Sequence, residues 1–348
     1  MSFSVVLQAA GGSAIGVGHL SRTATLANAL SKTEFWEKVV LLWETTPELA
    51  ARFRPAKCEV MVVPDSQAAL TERSRICQQK GVCVLVTDLL NVQPEDVVTA
   101  KSQGYQGFVH INDSGIGRFV ADMLIDADAF KSPEDLPISF TGVGLIGAPY
   151  LIIRESIAQL RPLAPWQGER VSKVLITLGG ADPENLTLQL VRSLLHQDIN
   201  SSFCVTTVIG PAFNPSQVSQ LELIANINKD LRILKSPNSL AQLMLDHDLI
   251  VTLGGITSYE AMCLGKPCAV VAWGPMKYYV EQLSLIGLLK DLGEVKNAAM
   301  HLFKFIQNID LLHKIARAGW QNVDGKGVDR IVDKISKLAE QIASKNKQ

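Results

Sequence analysis

The sequence predicts an α/β protein of two Rossmann-like domains with parallel sheets. Three observations carry this. Apolar, β-branched runs of strand length alternate with stretches of helical period along the chain. The strand and glycine turn that open it, Phe3–Ala9 and Gly11-Gly12, are matched later by Lys173–Leu178 and Gly179-Gly180. Its 348 residues suit two domains of ordinary size.

Composition excludes several functions. A formal net charge of -1 gives no support for nucleic-acid or anionic-membrane binding. Six cysteines lie mostly in apolar contexts without a Cys-x-x-Cys pair, which fits free thiols in a reducing cytoplasm. The six histidines show no metal-ligand spacing, so no metal is expected. The N-terminus lacks a basic start and reads as a first strand, not a signal peptide. No apolar run reaches the ~20 residues of a membrane span.

The first unit is strand Phe3–Ala9, a glycine-rich loop over 11–18, and a helix over 20–30 with Leu20, Ala24, Ala27 and Leu30 on one face. The loop lacks the spacing of a dinucleotide fingerprint and the lysine of a P-loop. His19 starts the helix and Arg22 follows one turn on. A helix N-terminus favours the neutral imidazole, which suits His19 to act as a base; a capping or packing role fits the same position. Further strands are Val39–Trp43, Glu59–Val63, Val82–Thr87, Gly107–Ile111 and Asp122–Ile125. Asp88 follows the fourth strand, where open α/β sheets bind ligands. Asn112-Asp113-Ser114 follows the fifth. Asp126-Ala-Asp128 reads as a solvated turn. Residues 132–147 have no clear period, and 160–169, with Pro162 and Pro165, have linker chemistry.

In the second half a helix begins at Glu184. Strands fall at Phe203–Ile209 and Leu231–Leu234, and a helix at Leu240–Leu245. The stretch from Leu249 to Gln282 organises the rest. A buried strand from Leu249 leads into Gly254-Gly255, and a helix follows that Thr257 or Ser258 can cap. A strand, a glycine turn and a new helix N-terminus make a phosphate site. Glu260, one turn in, is placed to accept from a ribose diol. A structural turn with a capped helix accounts for the same residues. Cys268–Trp273 starts the next strand. No element is assigned between Trp273 and Asn308. A helix over 308–318, a break at Asp324-Gly-Lys-Gly327 and an amphipathic helix over 328–344 complete the chain.

The expected division is 1–158, a linker at 159–171, 172–327, and a C-terminal helix at 328–348 able to pack back on the first domain. The two sheets would face each other across a cleft, with His19 and Asp88 on one wall and Gly180, Gly254 and Glu260 on the other.

Five segments together are similar to one family. They are Ile15-Gly-Val-Gly-His19-Leu-Ser-Arg22, Gly179-Gly-Ala-Asp-Pro-Glu-Asn185, Gly254-Gly-Ile-Thr-Ser-Tyr-Glu260, Tyr278-Tyr-Val-Glu-Gln282 and Asp324-Gly-Lys-Gly-Val-Asp-Arg330. Their order resembles the UDP-sugar hydrolase of pseudaminic acid biosynthesis, and Gly147-Ala-Pro-Tyr-Leu-Ile-Ile-Arg-Glu155 resembles its interdomain segment. Nearly the whole chain is covered. The wider class is the GT-B fold. The resemblance implies a UDP site in the second domain: Glu260 on the ribose, Gly254, Gly255, Thr257 and Ser258 on the diphosphate, and Gly180 approaching from the other turn. It implies His19 as base for water attacking the anomeric carbon, with inversion and no metal or other cofactor. Gly18, Arg22, Asp88, Glu281 and Gln282 would line the sugar.

Two departures stand out. Gln8 and Ala10 replace the family's Arg and Asp, and Glu281-Gln282 replaces Asn-Gln. Both fall where the sugar is expected, and the acid missing at position 10 removes one orienting partner for His19. An inverting glycosyltransferase with a soluble acceptor shares every nucleotide motif; a lipid-linked acceptor calls for an exposed apolar or basic patch, which the N-terminal loops do not reveal in sequence. A non-catalytic nucleotide-sugar binder is the third reading.

Overall fold

The computed structural model describes residues 2–12, 15–77, 81–111, 115–180, 182, 184–196, 203–210, 212–235, 237 and 239–347. It forms two compact units, Met1–Ile152 with Lys326–Gln348, and Ile153–Gly325. The Asn112-Asp113-Ser114 turn and parts of the glycine-rich segments, Ser13, Ala14, Ala181 and Pro183, lie outside the described residues.

The first unit holds β1 (Phe3–Ala10), α1 (Gly18–Leu30), β2 (Lys38–Glu44), α2 (Pro47–Phe53), β3 (Glu59–Val63), α3 (Ser66–Ile76), β4 (Val82–Asp88), α4 (Pro94–Ser102), β5 (Gly107–Ile111), β6 (Met123–Asp126) and β7 (Val143–Ile146). The seven strands run parallel in the order β3-β2-β1-β4-β5-β6-β7. Helices cover both faces, so central strands are buried throughout, as in β4. One face packs Val5, Leu7 and Ala9 against Leu20, Ala24 and Ala27 of α1. The other packs Val6, Leu85 and Phe108 against Ala69 and Ile76 of α3. β7 falls in the stretch read as aperiodic; four residues, one of them exposed, are too few to declare a period.

The second unit holds α5 (Glu155–Ala158), β8 (Lys173–Ile176), α6 (Leu186–His196), β9 (Cys204–Ile209), α7 (Pro215–Ile227), β10 (Leu231–Lys235), α8 (Leu240–Leu245), β11 (Leu249–Thr252), α9 (Ile256–Cys263), β12 (Cys268–Val270), α10 (Lys277–Leu285), β13 (Lys290–Asp291), α11 (Val295–Ile306) and α12 (Ile309–Asn322). Its parallel sheet has the order β10-β9-β8-β11-β12-β13. Helix α6 starts two residues later than expected. Asp182 and Asn185 take left-handed backbone, and the Asp182 carboxylate caps the N–H groups of Leu186 and Thr187, both at 2.8 Å. Helix α11, unassigned from sequence, carries a readable stripe: Ala298, Ala299, Leu302 and Phe305 are buried.

The division differs from the expected one. Residues 153–171, read as a domain end and linker, belong to the second unit. Hydrogen bonds and stacking hold them. The Trp166 N–H donates to the Gly265 carbonyl at 2.8 Å and its indole to Asp248 at 3.1 Å. The Trp320 indole donates to the Pro162 carbonyl at 3.0 Å, and Arg161 lies 4.1 Å over the Trp320 ring. The final helix, α13 (Gly327–Lys345), belongs to the first unit, where Val328, Ile331, Ile335 and Ala339 join the core of Val5 and Leu7. A Cβ at Gly327 would overlap the Leu151 carbonyl, so glycine permits this close approach.

Candidate functional site

In the first sheet the strand order reverses between β1 and β4, and the crevice beyond their carboxyl ends is the topological switch point. Helix α1 starts just after β1, and Asp88 is the last residue of β4. The loop between is closed by paired backbone bonds of Gly12 and Gly16, with Gly16 at φ +79°. Gly18 is exposed, with no heavy atom within 4 Å of where a Cβ would stand. It leaves open space beside the first turn.

His19 Nδ1 lies 2.7 Å from Asp88 Oδ1. Arg22 donates to the same carboxylate twice, from Nε to Oδ2 at 2.7 Å and from Nη2 to Oδ1 at 2.6 Å. Asp88 is fully buried. Burial raises its pKa, but the charge and hydrogen bonds of Arg22, with the His19 bond, outweigh that and hold the carboxyl at about 2. An ionised carboxylate only accepts, so His19 donates from Nδ1, and in the neutral imidazole the lone pair then stands on Nε2. Arg22 Nη2 also approaches Nδ1, at 3.2 Å; both are donors converging on one oxygen. Thr23 bonds the His19 carbonyl at 2.8 Å, and the buried Trp43 indole donates to Thr23 at 3.1 Å.

Asp88 and Arg22, expected as sugar contacts, are bonded to each other and to the imidazole. The orienting partner missing at position 10 is answered by an acid from β4, 69 residues away. The Gln8 departure also changes meaning. Gln8 is buried on the α3 face, where it donates to Glu44 at 2.8 Å and accepts from Arg73 at 3.1 Å. An arginine missing from β1 is thus answered by one from α3, within the core.

His110 carried no role in the sequence reading. It is fully buried on the α3 side of the sheet; its Nδ1 lies 2.9 Å from Thr87 Oγ1, and its Nε2 has no partner among the described residues. Burial, the largest cause, lowers its pKa to about 4 from 6.5. The unfolded chain takes up this proton at higher pH than the folded one, so stability falls as pH drops from about 6.5 to about 4. The linkage is worth about 3 kcal/mol. Urea denaturation across that range is expected to show the loss, and His110→Asn to flatten it.

In the second sheet the switch point lies between β8 and β11, and each is followed by a glycine pair. Gly254, at φ +87°, would place a Cβ 2.7 Å from Val280 Cγ2, so only glycine fits. Gly255 is the N-cap of α9, exposed, with no neighbour within 4 Å of a Cβ. The expected side-chain cap by Thr257 or Ser258 is not made. Ser258 lies inside the first turn, and its hydroxyl folds back onto the Gly255 carbonyl at 2.6 Å; Thr257 is half-buried. No side chain caps the first turn, and the Ser258 N–H turns back to the Gly255 carbonyl at 3.0 Å, so the uncapped N–H groups of Ile256 and Thr257 are suited to an anion. At the other turn, Gly179 has φ +95° and Gly180 accepts from the Ala212 N–H at 2.9 Å.

Glu260 has an arginine partner that the sequence reading did not name. Its carboxylate is fully buried and receives both fork nitrogens of Arg154, Nε at 2.5 Å and Nη2 at 2.7 Å. Each of its oxygens takes one of these bonds. Glu281 is exposed and Gln282 half-buried on α10, whose Val280 packs on the Gly254 turn. Among the described residues no three His, Cys, Asp or Glu side chains gather as a metal site, and no helix is long and apolar enough to cross a membrane.

Comparison with known proteins defines the fold. No family model matches the chain. Protein MJ1062 of Methanocaldococcus jannaschii, itself uncharacterised, is 25% identical over 263 residues, which are 74% of this chain and 53% of that one. The chain thus spans about half of that relative's length. The spore coat polysaccharide biosynthesis protein SpsG of Bacillus subtilis is 23% identical over 342 residues, 95% of this chain and 97% of that one. Among solved structures, MnaA of S. aureus with UDP superposes with a TM-score of 0.66 at 13% identity, covering 97% of both chains. The UDP-GlcNAc 2-epimerase of Neisseria meningitidis bound to UDP-GlcNAc gives 0.62 at 14%, over 96% of this chain and 100% of that one. CalG4, the calicheamicin glycosyltransferase, gives 0.62 at 12%, over 99% and 100%. The fold is GT-B. Its two Rossmann-like units explain why the opening of the chain, a strand and a glycine turn, recurs in the second half.

Proposed function

We propose that the chain is a nucleotide-sugar enzyme that cleaves the anomeric C–O bond of a UDP-sugar and releases UDP. The observation that carries the reading is the His19–Asp88 pair, an imidazole held through Nδ1 by a buried, ionised carboxylate at a switch point. Such a pair suits general-base work. In this reading Nε2 takes a proton from water as the oxygen attacks the anomeric carbon. The bond to UDP breaks with inversion, and Asp88 stabilises the imidazolium that forms. The diphosphate's charge falls to the N-terminus of α9 beyond Gly254 and Gly255. Gly180 belongs to the second glycine turn of the same unit. The UDP and UDP-GlcNAc bound by two structural neighbours support the nucleotide. Gly18, Glu281 and Gln282 remain sugar contacts in this proposal, and Arg22 serves Asp88.

A second reading is favoured by one observation. Ile15, Leu90, Ile116 and Val120 are exposed in the loops after β1, β4 and β5. An apolar rim there, which the sequence did not reveal, fits an acceptor with apolar character, and so an inverting glycosyltransferase. The relative in spore coat polysaccharide biosynthesis is compatible with either. UDP release from a panel of UDP-sugars decides. Release in buffer alone supports hydrolysis, release only with an added acceptor supports transfer, and UDP binding without turnover under both conditions removes the catalytic reading.

A further inference from the structure

Two thiols meet on the face of the first sheet that is turned away from α1. Cys83 is the second residue of β4 and is 4% exposed, in the core of Val6, Leu85 and Phe108. Cys77 stands at the C-terminus of α3, is half-buried, and packs on the same core. The two side chains share a hydrogen bond. That bond, with burial, raises the pKa of Cys77; it lowers that of Cys83 against the effect of burial. Cys77 is therefore the donor, and Cys83 the sulfur that better holds a thiolate.

One turn fixes both residues. The Cys83 N–H donates to Gln106 Oε1 at 2.7 Å, and its carbonyl accepts from the Gln106 N–H at 3.0 Å. The Cys77 N–H donates to the Arg73 carbonyl at 3.2 Å, which also takes the Tyr105 hydroxyl at 3.1 Å. Gly104, at φ +102°, would bring a Cβ to 3.3 Å from Cys77 Sγ, so glycine leaves the sulfur its room. Gly104, Tyr105 and Gln106 thus hold two cysteines of different elements side by side. Oxidation of Cys83 by itself would end in a sulfinate, an irreversible charge inside an apolar core. A second thiol in contact with it offers another outcome.

We propose that Cys77 and Cys83 are a reversible redox pair, in which a peroxide oxidises Cys83 and Cys77 resolves it to a disulfide. The Cys83 thiolate attacks one oxygen of hydrogen peroxide; the O–O bond breaks, and the departing hydroxide takes up the thiol proton as water. Cys83 is then a sulfenic acid. The Cys77 sulfur attacks the Cys83 sulfur, the S–S bond forms, the S–O bond breaks, and the hydroxyl leaves with the Cys77 proton as a second water. Both sulfurs are oxidised and the peroxide is reduced to two waters. Thiol reductants reverse the link.

Treating the folded full chain with hydrogen peroxide, alkylating the remaining thiols and mapping peptides by mass tests it. The wild-type protein is expected to yield a peptide pair joined through Cys77 and Cys83, short by two hydrogen atoms and separated by dithiothreitol. Cys77→Ser is expected to lose that link and to carry Cys83 as sulfinic acid, which dithiothreitol does not restore. The exposed Cys204 reports that the oxidant has acted. Both thiols fully alkylated in the wild type while Cys204 is oxidised would overturn the pair. So would sulfinic acid at Cys83 in the wild type, or a disulfide from either cysteine to a different one.

Discussion

Replacing His19 with alanine is expected to lower turnover of a UDP-sugar about 10²–10⁴-fold, the usual contribution of a positioned general base. That range is roughly 3–5 kcal/mol of barrier. UDP affinity is expected to stay nearly unchanged, because the proposed nucleotide contacts all lie in the second unit. The variant should also fold. Arg22 keeps its two bonds to the Asp88 carboxylate without the imidazole. Steady-state kinetics beside a UDP titration read both quantities. Full activity in this variant would reduce His19 to a residue that packs at the start of α1.

Asp88→Asn is expected to have the next largest effect, on activity and stability together. The amide can present its N–H₂ to Nδ1, which puts the imidazole proton on Nε2 and removes the acceptor that water needs. Turnover should fall about 10²-fold or more. The change also strips Arg22 of its counter-charge. A fully buried broken pair costs about 3–5 kcal/mol. Arg22 keeps 26% of its side chain in water, so about 2–3 kcal/mol is expected here. The wild-type protein carries the matching pH signature. Asp88 titrates at about 2 when folded, below its ordinary 3.8. Its contribution is complete above pH 3.8 and is lost as pH falls through about 2, an amount near 2 kcal/mol. Asp88→Asn should abolish that acid limb and leave the higher one from His110. An unchanged limb below pH 4 would separate Asp88 from the ion pair that the structure draws.

Much of the architecture was legible because parallel α/β sheets write themselves plainly. Strands buried on both faces, such as Val82–Asp88, read as unbroken apolar runs. Glycine turns mark their ends. Gly254 was readable as a turn because its left-handed backbone and its contact with Val280 both exclude a side chain. Short or half-exposed elements were not readable, β7 among them. Residues 160–169 looked like a linker because Pro and polar residues are loop chemistry; what pins them is Trp166 on Gly265 and Trp320 on Pro162, contacts made far along the chain. α11 is a different case: its stripe of Ala298, Ala299, Leu302 and Phe305 was available and went unassigned.

By itself the sequence determined the class of fold and the places of its glycine turns, since periodicity and backbone freedom are local. The tertiary structure decided who partners whom. It paired His19 with Asp88 rather than an acid on β1, moved the charge beside Gln8 to Arg73, and joined Arg154 to Glu260. Those choices join residues 65 to 106 positions apart, and the strength of an ion pair depends on separation and burial, which no local pattern encodes.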